Sequence, residues 1–201
     1  MSEPHPEKTK EPVLIAMIGL VGSGKSTVAK FVASKIGAKL LSGDKIRLQL
    51  RKEGKSYDQK GQIMESEALK ALKMGRSVIL DSDHISSIEE LEKKCLERNI
   101  KLFTLYVTCD PDIAIGRIIN SRVEQFFKGA SSSWIGARKG AVVKLREMWR
   151  RTPLHFNWSP EKGGKWTPNT ATSDKFFHID TTDESKWQSR ALEFINLVFN
   201  K

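Results

Sequence analysis

Gly19-Leu20-Val21-Gly22-Ser23-Gly24-Lys25-Ser26, followed by Thr27, is a stretch that few chemistries require. It fits the pattern G-x-x-x-x-G-K-[ST], in which glycines let backbone N–H groups curl round an anion. The lysine reaches the β and γ phosphates and the hydroxyl ligates Mg²⁺. The flanks agree with that pattern. Val13-Leu14-Ile15-Ala16-Met17-Ile18 is an apolar run with the length of a buried parallel strand. Downstream, Val28, Phe31, Val32 and Ile36 recur at helical spacing, so the loop opens a helix whose N-terminal dipole favours a bound anion. Gly22, Ser23, Gly24, Lys25, Ser26 and Thr27 are therefore the candidate nucleotide-binding set, with ATP and Mg²⁺ as the cofactors it implies.

Working outward, Ala38-Lys39-Leu40-Leu41 reads as a second strand that carries Asp44 and Arg47 to the same sheet edge. Their D-x-x-R spacing is one helical turn, so both side chains can face one cleft. There a carboxylate can take a proton from an acceptor hydroxyl and a guanidinium can grip an anionic group; the plainer alternative for Asp44 is a helix N-cap. Residues 45–74 read as a short and a longer helix. Val78-Ile79-Leu80-Asp81 is then a buried strand ending in an acid, which can hold Mg²⁺ with Ser26 or orient the attacking group. Asp83 and His84 follow, and the lone His is read as a polar loop residue.

A helix marked by Ile88, Leu91 and Cys95 and a strand over 102–107 complete four strand–helix alternations, which predicts a parallel sheet with helices on both faces. The helix after Asp110-Pro111 has Ile115, Ile118, Ile119 and Val123 on its apolar side. Arg117 and Arg122 precede the small-residue stretch 128–133, so 117–140 reads as a mobile lid, with Arg122 placed to stabilise the transferring phosphoryl and Arg138 and Lys139 beyond. Val142, Leu145 and Trp149 predict the inner face of a helix ending at Arg150-Arg151. An insertion rich in Pro, Gly and Trp over 152–174, a last strand near 176–180, Thr181-Thr182 as an adenine rest, and a closing helix follow.

Composition narrows the classes. A chain of 201 residues, 39% hydrophobic, suits one domain over 12–201 after a disordered tail at 1–11. No apolar run approaches the ~20 residues of a membrane span. Two cysteines without metal-like spacing point to reduced thiols in the cytoplasm. The net charge of +10 is uneven: residues 116–165 hold eleven Lys or Arg against three acids, whereas residues 53–115 hold nine against twelve. That basic stretch fits either a nucleic-acid surface or side chains gathered round nucleotide phosphates.

On Gly19 to Thr27, the Asp44/Arg47 pair, the 78–81 strand and Arg117/Arg122, the chain resembles the P-loop kinases of the nucleoside monophosphate kinase-like group, in particular their polynucleotide 5′-hydroxyl kinase and zeta-toxin-like branch. The resemblance implies a three-layer α/β/α fold with a five-stranded parallel sheet of order 2-3-1-4-5. It also implies Asp44 as general base, Arg47 on a phosphate of the acceptor, and a lid arginine, Arg117 or Arg122, at the ATP phosphates; Asp81, at the strand end, is read as a further acceptor contact. Where many relatives read Asp-x-Thr-Asn after the third strand, this chain reads Asp81-Ser82-Asp83-His84. The expected activity is transfer of the γ-phosphate of ATP to a hydroxyl, on a polynucleotide 5′ end or a small metabolite. A nucleotide-dependent RNA-binding switch is the reading from another class.

Overall fold

The computed structural model describes residues 11–127, 134–162, 165–169 and 175–199. Along them run β1 (Leu14–Ile18), α1 (Lys25–Ile36), β2 (Lys39–Ser42), α2 (Gly43–Lys52), α3 (Gln59–Lys73), β3 (Val78–Asp81), α4 (Ile88–Glu97) and β4 (Leu102–Thr108). Then come α5 (Pro111–Phe127), α6 (Trp134–His155), the strands β5 (Phe156–Ser159) and β6 (Lys165–Pro168), β7 (Phe177–Asp180) and α7 (Trp187–Phe199).

Five strands form one sheet in the order β2-β3-β1-β4-β7, every neighbouring pair parallel. This is the expected P-loop order, with β7 as the fifth strand. Parallel pairing puts all C-terminal strand ends on one edge, where Ile18, Ser42, Asp81, Thr108 and Asp180 each hand the chain to a loop. β1 is buried along its whole length, as a central strand covered on both faces must be. On one face it packs with α1 and α7 through Ile15, Met17, Val28, Val32 and Phe194; on the other, Leu14 and Leu80 meet Met64, Ala68 and Ala71 of α3 and Cys95 of α4. Connections reverse direction on either side of β1, and such a switch point is where open α/β sheets bind ligands.

The second half departs from expectation at α6. This helix does not stop at Arg151 but runs to His155, with Pro153 inside its last turn. Its buried stripe is Ala141, Met148, Thr152 and His155, with Leu145 half-buried between them, whereas Val142 is 48% and Trp149 76% exposed. The inner face is thus rotated by about one residue, ~100°, from the face that Val142 and Trp149 suggest. Thr152 and His155 hide the stripe because they are polar. Thr152 is satisfied by donating its hydroxyl to the Met148 carbonyl at 2.8 Å. Ile119 of α5, expected inside, is 42% exposed. The insertion therefore starts at Phe156, as a β5–β6 hairpin in which Trp158 faces Trp166 with ring centroids 4.9 Å apart.

Candidate active site

The loop after β1 is shaped by two glycines. Gly19 has φ +148°, and a Cβ there would lie 2.1 Å from the Val107 carbonyl oxygen, so only glycine lets the loop rest on β4. Gly24 precedes α1 in the left-handed region at φ +82°. Lys25 donates to the carbonyls of Gly19 and Leu20, both at 2.6 Å, and so holds the loop curled. Burial lowers its pKa to about 8, against the pull of the Asp83 and Asp81 carboxylates. Inside the curl the Ser23 hydroxyl is buried without a partner among the described residues, a polar vacancy that an anion's oxygen would fill.

Ser26 donates to Asp81 Oδ1 at 3.0 Å. Burial raises the Asp81 pKa, and the Ser26 hydrogen bond and Lys25 oppose it. These two oxygens beside the cradle are the hard donor pair that Mg²⁺ takes together with water and phosphate oxygens. Among the described residues no group of three or more His, Cys, Asp or Glu is suited to hold a metal.

Two residues further on, Asp83 ties the cleft together. Its Oδ1 accepts from the backbone N–H of Gly19 at 3.2 Å and of Ile85 at 3.3 Å. Its Oδ2 meets Arg151 at 2.6 Å and His155 Nε2 at 3.2 Å. Burial alone would raise the Asp83 pKa, but the His155 hydrogen bond, with the charges of His155, Lys25 and Arg151, brings it down to about 2. His155 is fully buried, its carbonyl accepts from Tyr106 at 2.7 Å, and its ring lies against the Tyr106 ring. Asp83 thus clasps α6 to the first glycine of the loop.

A cavity of about 380 Å³ opens in front of these groups, lined by Gly22, Gly24, Lys25, Ser26 and Thr27 of the loop together with Asp44, Arg47, Asp81, Arg117, Lys144 and Arg151. The structure brings together most of the residues singled out by sequence. Asp44 is in the first turn of α2 and is not its N-cap, which is Ser42. Its carboxylate is 73% exposed and accepts from Arg47 at 2.9 Å. Arg117 spends its guanidinium on the other end of the cleft, donating to the Thr181 hydroxyl at 3.0 Å and the Thr181 carbonyl at 2.8 Å. Thr181 in turn donates its hydroxyl to the Ser23 carbonyl at 2.8 Å. Arg122 falls in α5, but its side chain and those of Arg138 and Lys139 lie outside the described residues, as does the middle of the expected lid, 128–133. Arg151, Lys144 and Asp83 are the residues that sequence reasoning missed. The signal available for Arg151 was its spacing from His155, i and i+4 on one helix face.

The profile of a family described as an AAA domain matches residues 14–125, more than half of the chain. The chain belongs to that family. A UPF0200 protein of Pyrobaculum aerophilum is 30% identical over 115 residues, which is 52% of this chain; the chain spans 64% of that relative's length. Among solved structures, a Chloroflexus aurantiacus protein provisionally described as a kinase superposes with a TM-score of 0.59 at 17% identity, covering 94% of this chain and 96% of its own. A gluconokinase from Sinorhizobium meliloti gives a TM-score of 0.52 at 14% identity, covering 94% and 95%. These likenesses extend the AAA-domain fold through the C-terminal region that the profile leaves unmatched. No helix among the described residues is long and apolar enough to cross a membrane.

Proposed function

We propose that this AAA-domain chain is an ATP- and Mg²⁺-dependent phosphotransferase that moves the γ-phosphoryl to a hydroxyl acceptor. One observation carries the reading: Asp44 and Arg47 line the same cavity as the phosphate cradle, and a protein that only bound nucleotide would have no use for an exposed carboxylate facing the phosphates. Lys25, released from the Gly19 and Leu20 carbonyls, bonds the β and γ oxygens, and the backbone N–H groups of Gly22 to Thr27 cradle them. Ser26 and Asp81 would hold Mg²⁺, which would supply charge neutralisation. Asp44 takes the acceptor's proton, with Arg47 positioning the acceptor, and Thr181 with Arg117 borders the nucleoside end. Arg122 is the lid candidate for phosphoryl charge, while Arg151 and Lys144 already line the cleft. Catalysis of this kind rests on positioning and electrostatics in an in-line transfer.

The acceptor class divides the finer readings. The basic stretch 116–165 supports a polynucleotide 5′-hydroxyl, as in the kinase branch the sequence resembles. Three of its cations, Arg117, Lys144 and Arg151, line the cleft, which supports a small acceptor, and the fold neighbour from Sinorhizobium meliloti is a gluconokinase. Cys95 and Cys109 are free and buried, in keeping with a reducing, cytoplasmic setting. The test is transfer of labelled γ-phosphate from ATP to hydroxyl acceptors. Asp44→Asn is expected to lower kcat by about 10²-fold or more with ATP affinity unchanged; an unaltered kcat would remove Asp44 as the base.

A further inference from the structure

Ser82 and Asp83 line two cavities at once. One is the polar cleft of the cradle; the other, of about 440 Å³, lies behind it between α3 and α4. The second has a different chemistry. Met64, Leu69 and Leu72 of α3, Leu80 of β3 and Leu91 of α4 form its length. Four of the charged residues that line it are paired with one another: Glu65 pairs with Lys94 at 3.3 Å and with Arg98 at 2.9 Å, and Lys94 also pairs with Glu90 at 2.9 Å.

Polar groups gather at the end it shares with the cleft. Lys60 donates to Ser82 Oγ at 3.2 Å. Burial lowers the Lys60 pKa and Arg47 lowers it further, against Asp44, so the seam lies within the field of the Asp44/Arg47 pair. His84 also lines this cavity, and its buried Nε2 has no partner among the described residues.

We propose that the cavity between α3 and α4 seats the acceptor and that the acceptor is an uncharged alcohol with an apolar body, its hydroxyl presented at the Ser82–Asp83 seam. The proposal rests on the phosphotransferase reading and names its substrate class. A polyol or sugar acid would leave hydroxyls unpaired against leucines, which costs free energy for each one buried. A polynucleotide needs a row of unpaired cations along its path; here Lys94 and Arg98 are engaged by carboxylates and Lys60, on Ser82, stands as a single cation. The volume falls in the range that encloses a small organic molecule. In the reaction, the alcohol oxygen bonds to the γ-phosphorus as the bond from that phosphorus to the β,γ-bridging oxygen breaks. The electron pair leaves with ADP, and the alcohol proton passes to the Asp44 carboxylate.

The test joins a binding and a transfer assay on the full chain. The neutral apolar dye N-phenyl-1-naphthylamine is titrated into the protein with and without 1-decanol, and γ-labelled ATP with Mg²⁺ is offered 1-decanol, farnesol, gluconate, adenosine and a 5′-hydroxyl oligonucleotide. Dye fluorescence is expected to rise on binding and to be displaced by 1-decanol, and label is expected on the apolar alcohols. Leu69→Trp, which fills the cavity, is expected to weaken dye binding by about tenfold, from overpacking of the site, with ATP affinity within about twofold as the check on folding. Leu91→Trp serves if Leu69→Trp does not fold. Label on gluconate, adenosine or the oligonucleotide alone, or the absence of displaceable dye binding, overturns the proposal and leaves the phosphotransferase standing in the first case. Label on no acceptor overturns the proposal together with the phosphotransferase reading on which it rests, whatever the dye binding shows.

Discussion

The two walls of the cleft are held by different forces. The sheet wall, from β1 through the cradle to Asp81, rests on parallel strand pairing over a core in which Ile15, Met17, Ile18, Val28 and Ile79 are fully buried. The α6 wall is joined to the sheet side through a small apolar contact of Met148 and Phe156 with Leu20 and Cys109, through the Tyr106 hydroxyl on the His155 carbonyl, and through one carboxylate. Asp83 receives Arg151 and His155 from α6 with one oxygen while the other holds Gly19. Apolar packing is insensitive to protonation, whereas a buried charge cluster is not. One wall is therefore permanent and the other conditional, and the cavity lies between them.

The sharpest way to break the contrast is Asp83→Ala, which leaves a buried guanidinium and imidazole uncompensated. A loss of about 3–5 kcal/mol in urea unfolding is expected, with α1 and α7 amides retaining their order of hydrogen-exchange protection. A loss below about 1 kcal/mol would show that the apolar contact and the Tyr106–His155 bond hold α6 without the carboxylate.

Acid should act first on the loop after β3 and then on the clasp to α6. Burial depresses the His84 pKa from 6.5 to about 4, so between those values the unfolded chain binds a proton that the folded chain refuses. Stability is present above pH 6.5 and falls as pH drops towards 4, by up to about 3 kcal/mol. Asp83, depressed from 3.8 to about 2, adds a second loss as pH falls through that lower window. Denaturation curves collected from pH 7 to 2 should show both steps, and only the upper one should survive in Asp83→Ala.

A smaller effect runs the opposite way. Lys25 has its pKa lowered to about 8, and a bound triphosphate would restore the charged form. Binding then takes up a proton above pH 8, so ATP affinity should weaken by up to about tenfold per pH unit there. Calorimetry in buffers of different ionisation enthalpy would detect that proton, and pH-independent affinity would mean that the amine does not meet the phosphates. The mildest change is Asp44→Ala, which removes an exposed pair with Arg47 and should alter stability by no more than about 0.5 kcal/mol. A large loss would place Asp44 among the structural acids with Asp83.

The same contrast separates what the sequence made legible from what it did not. The cradle, the 78–81 strand and the alternation of strands and helices are local signals, set by glycine freedom and apolar runs, and they predict the sheet and its flanking helices. The order of the strands came with the family resemblance. Asp44, Arg47 and Asp81 were legible as strand-end or first-turn residues and do border one cavity. Asp83 was passed over because a carboxylate two residues beyond a strand looks like any loop acid; its partners Arg151 and His155 are 68 and 72 positions away in the chain, and no local pattern announces such a pairing. The orientation of α6 was misread for a related reason. Trp149 faces outward, while the buried turn ends in Thr152, which bonds back to the Met148 carbonyl, and in His155, whose Nε2 meets Asp83 only in the fold.

The approach of Gly19 to Val107 also has a genetic meaning. A side chain at position 19 would meet a backbone oxygen of β4 at 2.1 Å, and neither partner can rotate away, since both belong to the main chain. Every missense change of the Gly19 codon is therefore expected to behave as a null allele, and a suppressor elsewhere in the gene would have to move a strand, not trim a neighbour.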